Sequence, residues 1–175
     1  MKKILTILMP FLCGGCLDIP DGVSAIQDFE LDRYLGKWYE IARLDHSFER
    51  GLENVTAEYA LKPDGGVSVT NRGYSTAQKK WKDAQGKAFF VGDEQVGHLK
   101  VSFFGPFYGS YAIFELDQDY QYAFVSGSNT KYLWFLSRTP QVSQELRDQF
   151  VEKVKALGFE TSNLIFVNQE AVEQP

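Results

Sequence analysis

Eight short apolar-rich segments, separated by turn residues and by no helix, constrain this chain more than any other feature. They occupy residues 36–44, 54–61, 67–74, 85–91, 99–104, 110–116, 122–126 and 132–137. The breaks carry turn chemistry: Pro63-Asp64-Gly65-Gly66, Gly92-Asp93, Asp117-Gln118-Asp119 and Gly127-Ser128-Asn129. Glycine there tolerates positive φ, and Asn and Asp side chains close local turns. Strands joined so tightly cannot make parallel crossovers, so the pattern predicts an all-β antiparallel meander, closed as a barrel or a sandwich. Alternation in Leu99-Lys100-Val101-Ser102-Phe103 gives one dry face and one wet face. With 175 residues there is room for one such domain.

A single helix is predicted after the strands. Ser143 caps it, Glu145 and Asp148 suit its positive end, and Lys153 and Lys155 its negative end. Leu146, Phe150, Val154 and Leu157 form one apolar stripe, which needs the outside of the β-structure to lie on. Gly158 suits the position just past the helix, and residues 163–168 predict a ninth strand.

Composition narrows the function. The 14 Phe, 9 Tyr and 3 Trp suit pleated surfaces and the walls of an apolar cavity. A formal charge of −5 argues against nucleic acid as a partner. Cys13 and Cys16 both precede the β region, which therefore holds no disulfide, thiolate metal cluster or thiol nucleophile. With only His46 and His98, and no Gly-x-Ser-x-Gly elbow, neither a serine hydrolase nor a zinc site is expected, and no cofactor is implied.

The N-terminus reads as a signal peptide over residues 1–15. Met1-Lys2-Lys3 is followed by an apolar run over 4–12 and by Gly14-Gly15. Ending on Cys16, it resembles the lipobox of bacterial lipoproteins. That resemblance implies cleavage before Cys16 and its acylation with palmitate-type chains. With Leu17 next, it implies sorting to the outer membrane, anchored on the periplasmic side. Residues 16–28, with Pro20 and Gly22, read as a tether, and 170–175 as a C-terminal tail.

Three motifs carry a further resemblance. Tyr34-Leu35-Gly36-Lys37-Trp38-Tyr39-Glu40-Ile41-Ala42-Arg43 resembles the first signature of the lipocalins, Gly-x-Trp opening the first strand. Asp119-Tyr120 resembles the second, between strands six and seven, and Ser137-Arg138-Thr139-Pro140 the third, an Arg closing strand eight. The likeness covers residues 29–169 and is strongest to bacterial lipocalins of the outer-membrane lipoprotein type and to apolipoprotein D. It implies an eight-stranded antiparallel up-and-down β-barrel, a calyx, with the helix packed outside. Trp38 and Arg138 should then meet at the closed end in a cation–π contact of about 0.5–2 kcal/mol. Gly36 permits close crossing of the barrel base.

With Trp38 and Arg138 as inward anchors, strand periodicity selects the lining. Strand one contributes Glu40 and Ala42, and the resemblance of strand two to the family implies that Val55, Ala57, Tyr59 and Leu61 lie inside. Strand three offers Val67, Val69 and Asn71, and strand four Ala88 and Phe90. Strand five offers Leu99, Val101 and Phe103, strand six Tyr111 and Ile113, and strand eight Trp134 and Leu136. The result is an aromatic cavity with Tyr59, Trp134, Asn71 and Glu40 as polar handles. In the loop 45–53, beside His46, Phe48 and Leu52, Arg50 is placed to hold a phosphate or carboxylate at the rim. The turn Phe104-Gly105-Pro106-Phe107-Tyr108 offers an aromatic surface to a membrane or to a second subunit of a homodimer. The resemblance implies a lysophospholipid or fatty acid as ligand, stored or carried in membrane maintenance under stress. A haem carrier and a non-catalytic envelope scaffold stand as alternatives.

Overall fold

The structure is a computed structural model and describes residues 17–170. The signal peptide, Cys16 and residues 171–175 lie outside the described residues.

The eight strands are β1 (Gly36–Leu44), β2 (Leu52–Leu61), β3 (Val67–Ser75), β4 (Lys80–Phe90), β5 (His98–Phe104), β6 (Phe107–Leu116), β7 (Tyr122–Ser126) and β8 (Leu133–Ser137). Each pairs antiparallel with the next, and β1 closes the sheet by pairing with both β2 and β8. Closure removes the free edges that would otherwise template pairing with other chains. A ninth strand, β9 (Leu164–Phe166), adds to the outer half of β1. The expected all-β calyx and outside helix are thus what the chain forms.

The pleat sorts apolar side chains into two cores. Inside the barrel lie Trp38, Tyr59, Val69, Leu99, Ile113 and Leu136, with others of that face. Outside, Ile41, Phe124, Phe135, Phe150 and Val154 pack between wall and helix α2 (Gln144–Ala156). Ser143 Oγ accepts from Leu146 N at 3.2 Å as the N-cap, and Gly158 takes φ +83° just past the helix, where a side chain would be strained.

Three local features depart from the sequence reading. The β1–β8 register steps from Glu40↔Leu136 to Ala42↔Phe135, a bulge that inverts the alternation. Ile41 and Ala42 therefore both join the helix-side core, and Arg43 takes the inward place expected for Ala42. Strand β4 starts at Lys80 rather than near Gln85, because it pairs with β3 as far as Ser75↔Lys80 while its ladder with β5 stops at Lys87↔Ser102. The β3–β4 ribbon thus overhangs the open end.

Thirdly, the segment from Leu17 onward, expected as a tether, is fastened to the barrel. Pro20 and Val23 are buried, and Ile19 and Val23 join the helix-side core. Ile26 N donates to Ile113 O at 2.9 Å, and Gly97 N donates to Ile26 O at 2.9 Å. Phe29 then enters the barrel from below, ahead of one helical turn, α1 (Leu31–Tyr34).

Candidate ligand-binding site

The closed end is tied by the expected pair. Arg138 stacks over the Trp38 ring at 3.9 Å and donates to Lys37 O at 2.9 Å and Arg33 O at 2.8 Å. Gly36 has φ +93°, with the Arg138 guanidinium beside it. In the second motif Tyr120 takes φ +58° and its hydroxyl accepts from Glu30 N at 3.0 Å. The turn's capping carboxylate is Asp117, which accepts from Asp119 N at 3.0 Å and Gln121 N at 3.2 Å, rather than Asp119 itself.

Above this base is a cavity of about 530 Å³ that opens between the loops preceding β2, β4, β6 and β8, within the size range of small-ligand sites. Val55, Ala57, Tyr59, Val69 and Asn71 line it from β2 and β3. Val101, Phe103, Tyr111, Trp134 and Leu136 line it from β5, β6 and β8, and Glu40 from β1. Phe48 and Glu49 of the β1–β2 loop, and Tyr108, Ser110 and Tyr132, complete the wall. Phe48 is expected in the rim loop. Glu49 and Tyr132 precede β2 and β8, outside the regular alternation, and Tyr108 and Ser110 lie on the first part of β6, off the face chosen through Tyr111 and Ile113.

Ala88, Phe90, Leu99 and Ile113 face inward as expected but lie outside the cavity lining, in the packed base, as does Val67. The base is filled by Phe29, whose ring centroid lies 5.4 Å from that of Tyr34, 6.0 Å from Phe90 and 6.4 Å from Tyr120. A hydroxyl relay forms the floor: Tyr111 meets Tyr34 at 2.7 Å and Tyr59 at 2.8 Å. Burial raises the pKa of all three phenols well above the ordinary range, so they remain neutral donors and acceptors. Leu61, expected inside, is 55% exposed beyond the base.

The wall nearest the mouth is charged and buried. Arg43 Nη1 donates to Glu40 Oε1 at 2.8 Å, and Nη2 to Glu49 O at 3.0 Å and Leu52 O at 3.2 Å. Arg43 thereby fixes the β1–β2 loop over the barrel. Glu49 Oε2 accepts from Trp134 Nε1 at 3.1 Å and lies 2.8 Å from His46 Nε2. Desolvation, then the neighbouring Glu49 carboxylate, raise the Glu40 pKa well above the usual carboxylate range. The polar atoms of Tyr59 and Trp134, expected to face a ligand, are instead engaged within the wall. The Asn71 amide is different: its buried Oδ1 has no partner.

Arg50 does not face the cavity. Its guanidinium grips Asp45, with Nε at 2.8 Å and Nη2 at 2.7 Å from the same oxygen, and its side chain is 65% exposed. Asp45, five residues before Arg50, captures it, a local pairing that loop composition did not disclose. Arg43 is the inward cation in its place.

A family model described as a lipocalin-like domain matches residues 29–169. The outer membrane lipoprotein Blc of Vibrio cholerae is 60% identical over 171 residues, 97% of this chain and 100% of that protein. Apolipoprotein D of Bos taurus is a distant relative, 29% identical over 82% of this chain and 78% of its own. Among solved structures, insecticyanin from the tobacco hornworm Manduca sexta superposes with a TM-score of 0.68 at 20% identity, covering 89% of this chain and 88% of its own, a likeness of fold. The Gly-x-Trp strand, the Arg138 tie, the closed eight-stranded barrel and these relatives agree: the chain belongs to the lipocalin-like family and is an outer-membrane lipoprotein.

Proposed function

We propose that this lipoprotein is a non-catalytic carrier of single-chain amphiphiles, lysophospholipids or fatty acids, for storage or transport in membrane maintenance under stress. The observation that carries the reading is the layout of one cavity. Most of its lining is apolar, with Val55, Val69, Val101, Phe103 and Leu136, whereas the charged side chains Glu40, Arg43 and Glu49 are gathered on the side of β1 and the loop that follows it. A hydrocarbon chain enters first and gains about 25 cal/mol per Å² of apolar surface removed from water. The polar end stays outward.

The family's carrier character supports the non-catalytic part. The pair that most resembles a hydrolytic dyad, His98 Nε2 and Ser110 Oγ at 2.8 Å, has no carboxylate among the described residues to orient the imidazole. The exposed turn at Phe104 and Phe107 is the surface we assign to contact with the membrane or with a second copy of the chain.

Titration of wild type and Trp134→Ala with lysophospholipid, fatty acid and diacyl phospholipid tests the reading. Affinity should rise with chain length, fall for two chains, and weaken in the variant through lost wall contacts. Equal affinity for all three ligands, or indifference to the substitution, would refute it. A Soret band on the native protein would favour haem, and a sealed empty barrel would favour the scaffold.

A further inference from the structure

A second cavity, of about 330 Å³, opens off the calyx between the overhanging β3–β4 ribbon and the β5–β6 hairpin tip. The two share Phe48, Glu49, Val55, Asn71 and Phe103, so they form one forked space. The fork exists because the β4–β5 ladder ends at Lys87↔Ser102, leaving the rest of β4 without a partner on that side.

The inner face of β4 above Ala88 reads Gly86, Ala84, Lys82: two residues too small to fill the gap, then a cation at its outlet. A Cβ on Gly86 would stand 2.9 Å from the Phe103 ring, so glycine is what lets that ring lie against the strand. Phe103, Phe104 and Phe107 form the opposite wall, the latter two 78% exposed. Arg72 and Asp83 at the lip lie 3.5 Å apart and offset one another. The Glu49 carboxylate at the root is held by Trp134 Nε1 and His46 Nε2, so Lys82 is the charge left for a ligand at the outlet. At the root of the fork stands Asn71, its buried Oδ1 unpartnered. An acceptor in that state favours a ligand that brings a hydroxyl donor to it.

We infer that the side branch is a headgroup channel for phosphate-bearing single-chain lipids. The acyl chain fills the calyx, the glycerol linker meets the Asn71 amide, and the phosphate leaves sideways to Lys82. This rests on the single-chain reading above and adds to it the place where the headgroup of such a lipid is held. It also gives the anion a different holder from Arg50, which Asp45 engages.

The test uses the full mature chain with Cys16→Ser, so that no detergent competes. Three probes share one chain length: lysophosphatidylglycerol, the matching monoacylglycerol and the matching fatty acid. Wild type should bind lysophosphatidylglycerol most tightly, with a salt-sensitive margin. Lys82→Glu should weaken that probe roughly threefold or more, the scale of an exposed charge contact, and leave monoacylglycerol unchanged. Ala84→Trp should plug the branch, weaken both glycerol-bearing probes and spare the fatty acid. An unchanged ratio of lysophosphatidylglycerol to monoacylglycerol in Lys82→Glu overturns the headgroup channel while leaving carriage of single chains intact. Loss of the fatty acid in Ala84→Trp overturns it too, because the branch would then be part of the tail site. Failure of wild type to bind any of the three removes the single-chain reading itself.

Discussion

The hydroxyls of Tyr34 and Tyr111 meet at 2.7 Å across the floor of the calyx, joining the segment before β1 to a strand 77 residues away. Tyr111 also meets Tyr59 at 2.8 Å, so it is the centre of the relay. Tyr111→Phe strands two buried hydroxyls and should cost about 1–3 kcal/mol. Tyr34→Phe leaves the Tyr59–Tyr111 contact in place and should cost less, about 1 kcal/mol. Urea unfolding of the two variants checks the order; equal losses would show that Tyr111 is not central.

Stability should vary with pH through Glu40. The unfolded carboxyl titrates near its ordinary 4.5, whereas desolvation and Glu49 hold the folded one well above it. Between those two values the folded state binds more protons, so stability falls as pH rises through the window. Below the window the group contributes no pH dependence. Glu40→Gln removes the titration, so its stability curve should be flatter above that window's lower edge and should lie at or above wild type at neutral pH. Arg43→Met should do the reverse, losing about 3–5 kcal/mol because the buried Glu40 carboxyl loses its cation and the Glu49 and Leu52 carbonyls lose their donor. Denaturant midpoints across a pH series test both.

Phe29 decides how deep the cavity is. Phe29→Ala should cost about 3–5 kcal/mol as a large-to-small core change. The vacated space continues the calyx below the tyrosine floor, so the variant should accept longer chains than wild type. Calorimetric titration with a fatty-acid series checks this; an unchanged optimum length would mean that the relay, not the ring, sets the limit.

Cys16→Ser should convert the anchored protein into an unacylated precursor or a soluble periplasmic form. Palmitate labelling and membrane fractionation read the outcome, and a variant that still labels and sediments with outer membranes would refute acylation at this residue.

Much of the barrel is legible in the sequence because a pleated strand forces a period of two. The bounds of β1 and β7 follow from the apolar segments and their turns, and the inward placing of Val69, Val101, Tyr111, Trp134 and Leu136 from that period once Trp38 and Arg138 are taken as inward anchors; Tyr59 is placed by the family likeness of its strand. The errors come where the period is broken or absent. The bulge at Ile41 flips the parity, so Arg43 rather than Ala42 faces in, and a single inserted residue leaves no mark on composition. The overhang of β4 is hidden because a ribbon wet on both faces has no dry positions to count. Phe29 and Glu49 reach the interior from segments without regular structure, and only the folded chain shows where such residues end. The depth of the cavity depended on Phe29, and so did the assignment of Ala88, Phe90, Leu99 and Ile113 to the packed base.

The attachment of residues from Leu17 to Phe29 along the barrel bears on how the protein meets its membrane. Leu17 immediately follows Cys16, the residue expected to be acylated, and Pro20 and Val23 are already buried against the barrel. A lipid group on Cys16 would be joined through so little free chain that it would turn with the barrel as one body. Its search for ligand becomes a two-dimensional glide with a restricted set of tilts, in which the direction the mouth faces is set by the chain's own first turn and not by chance tumbling.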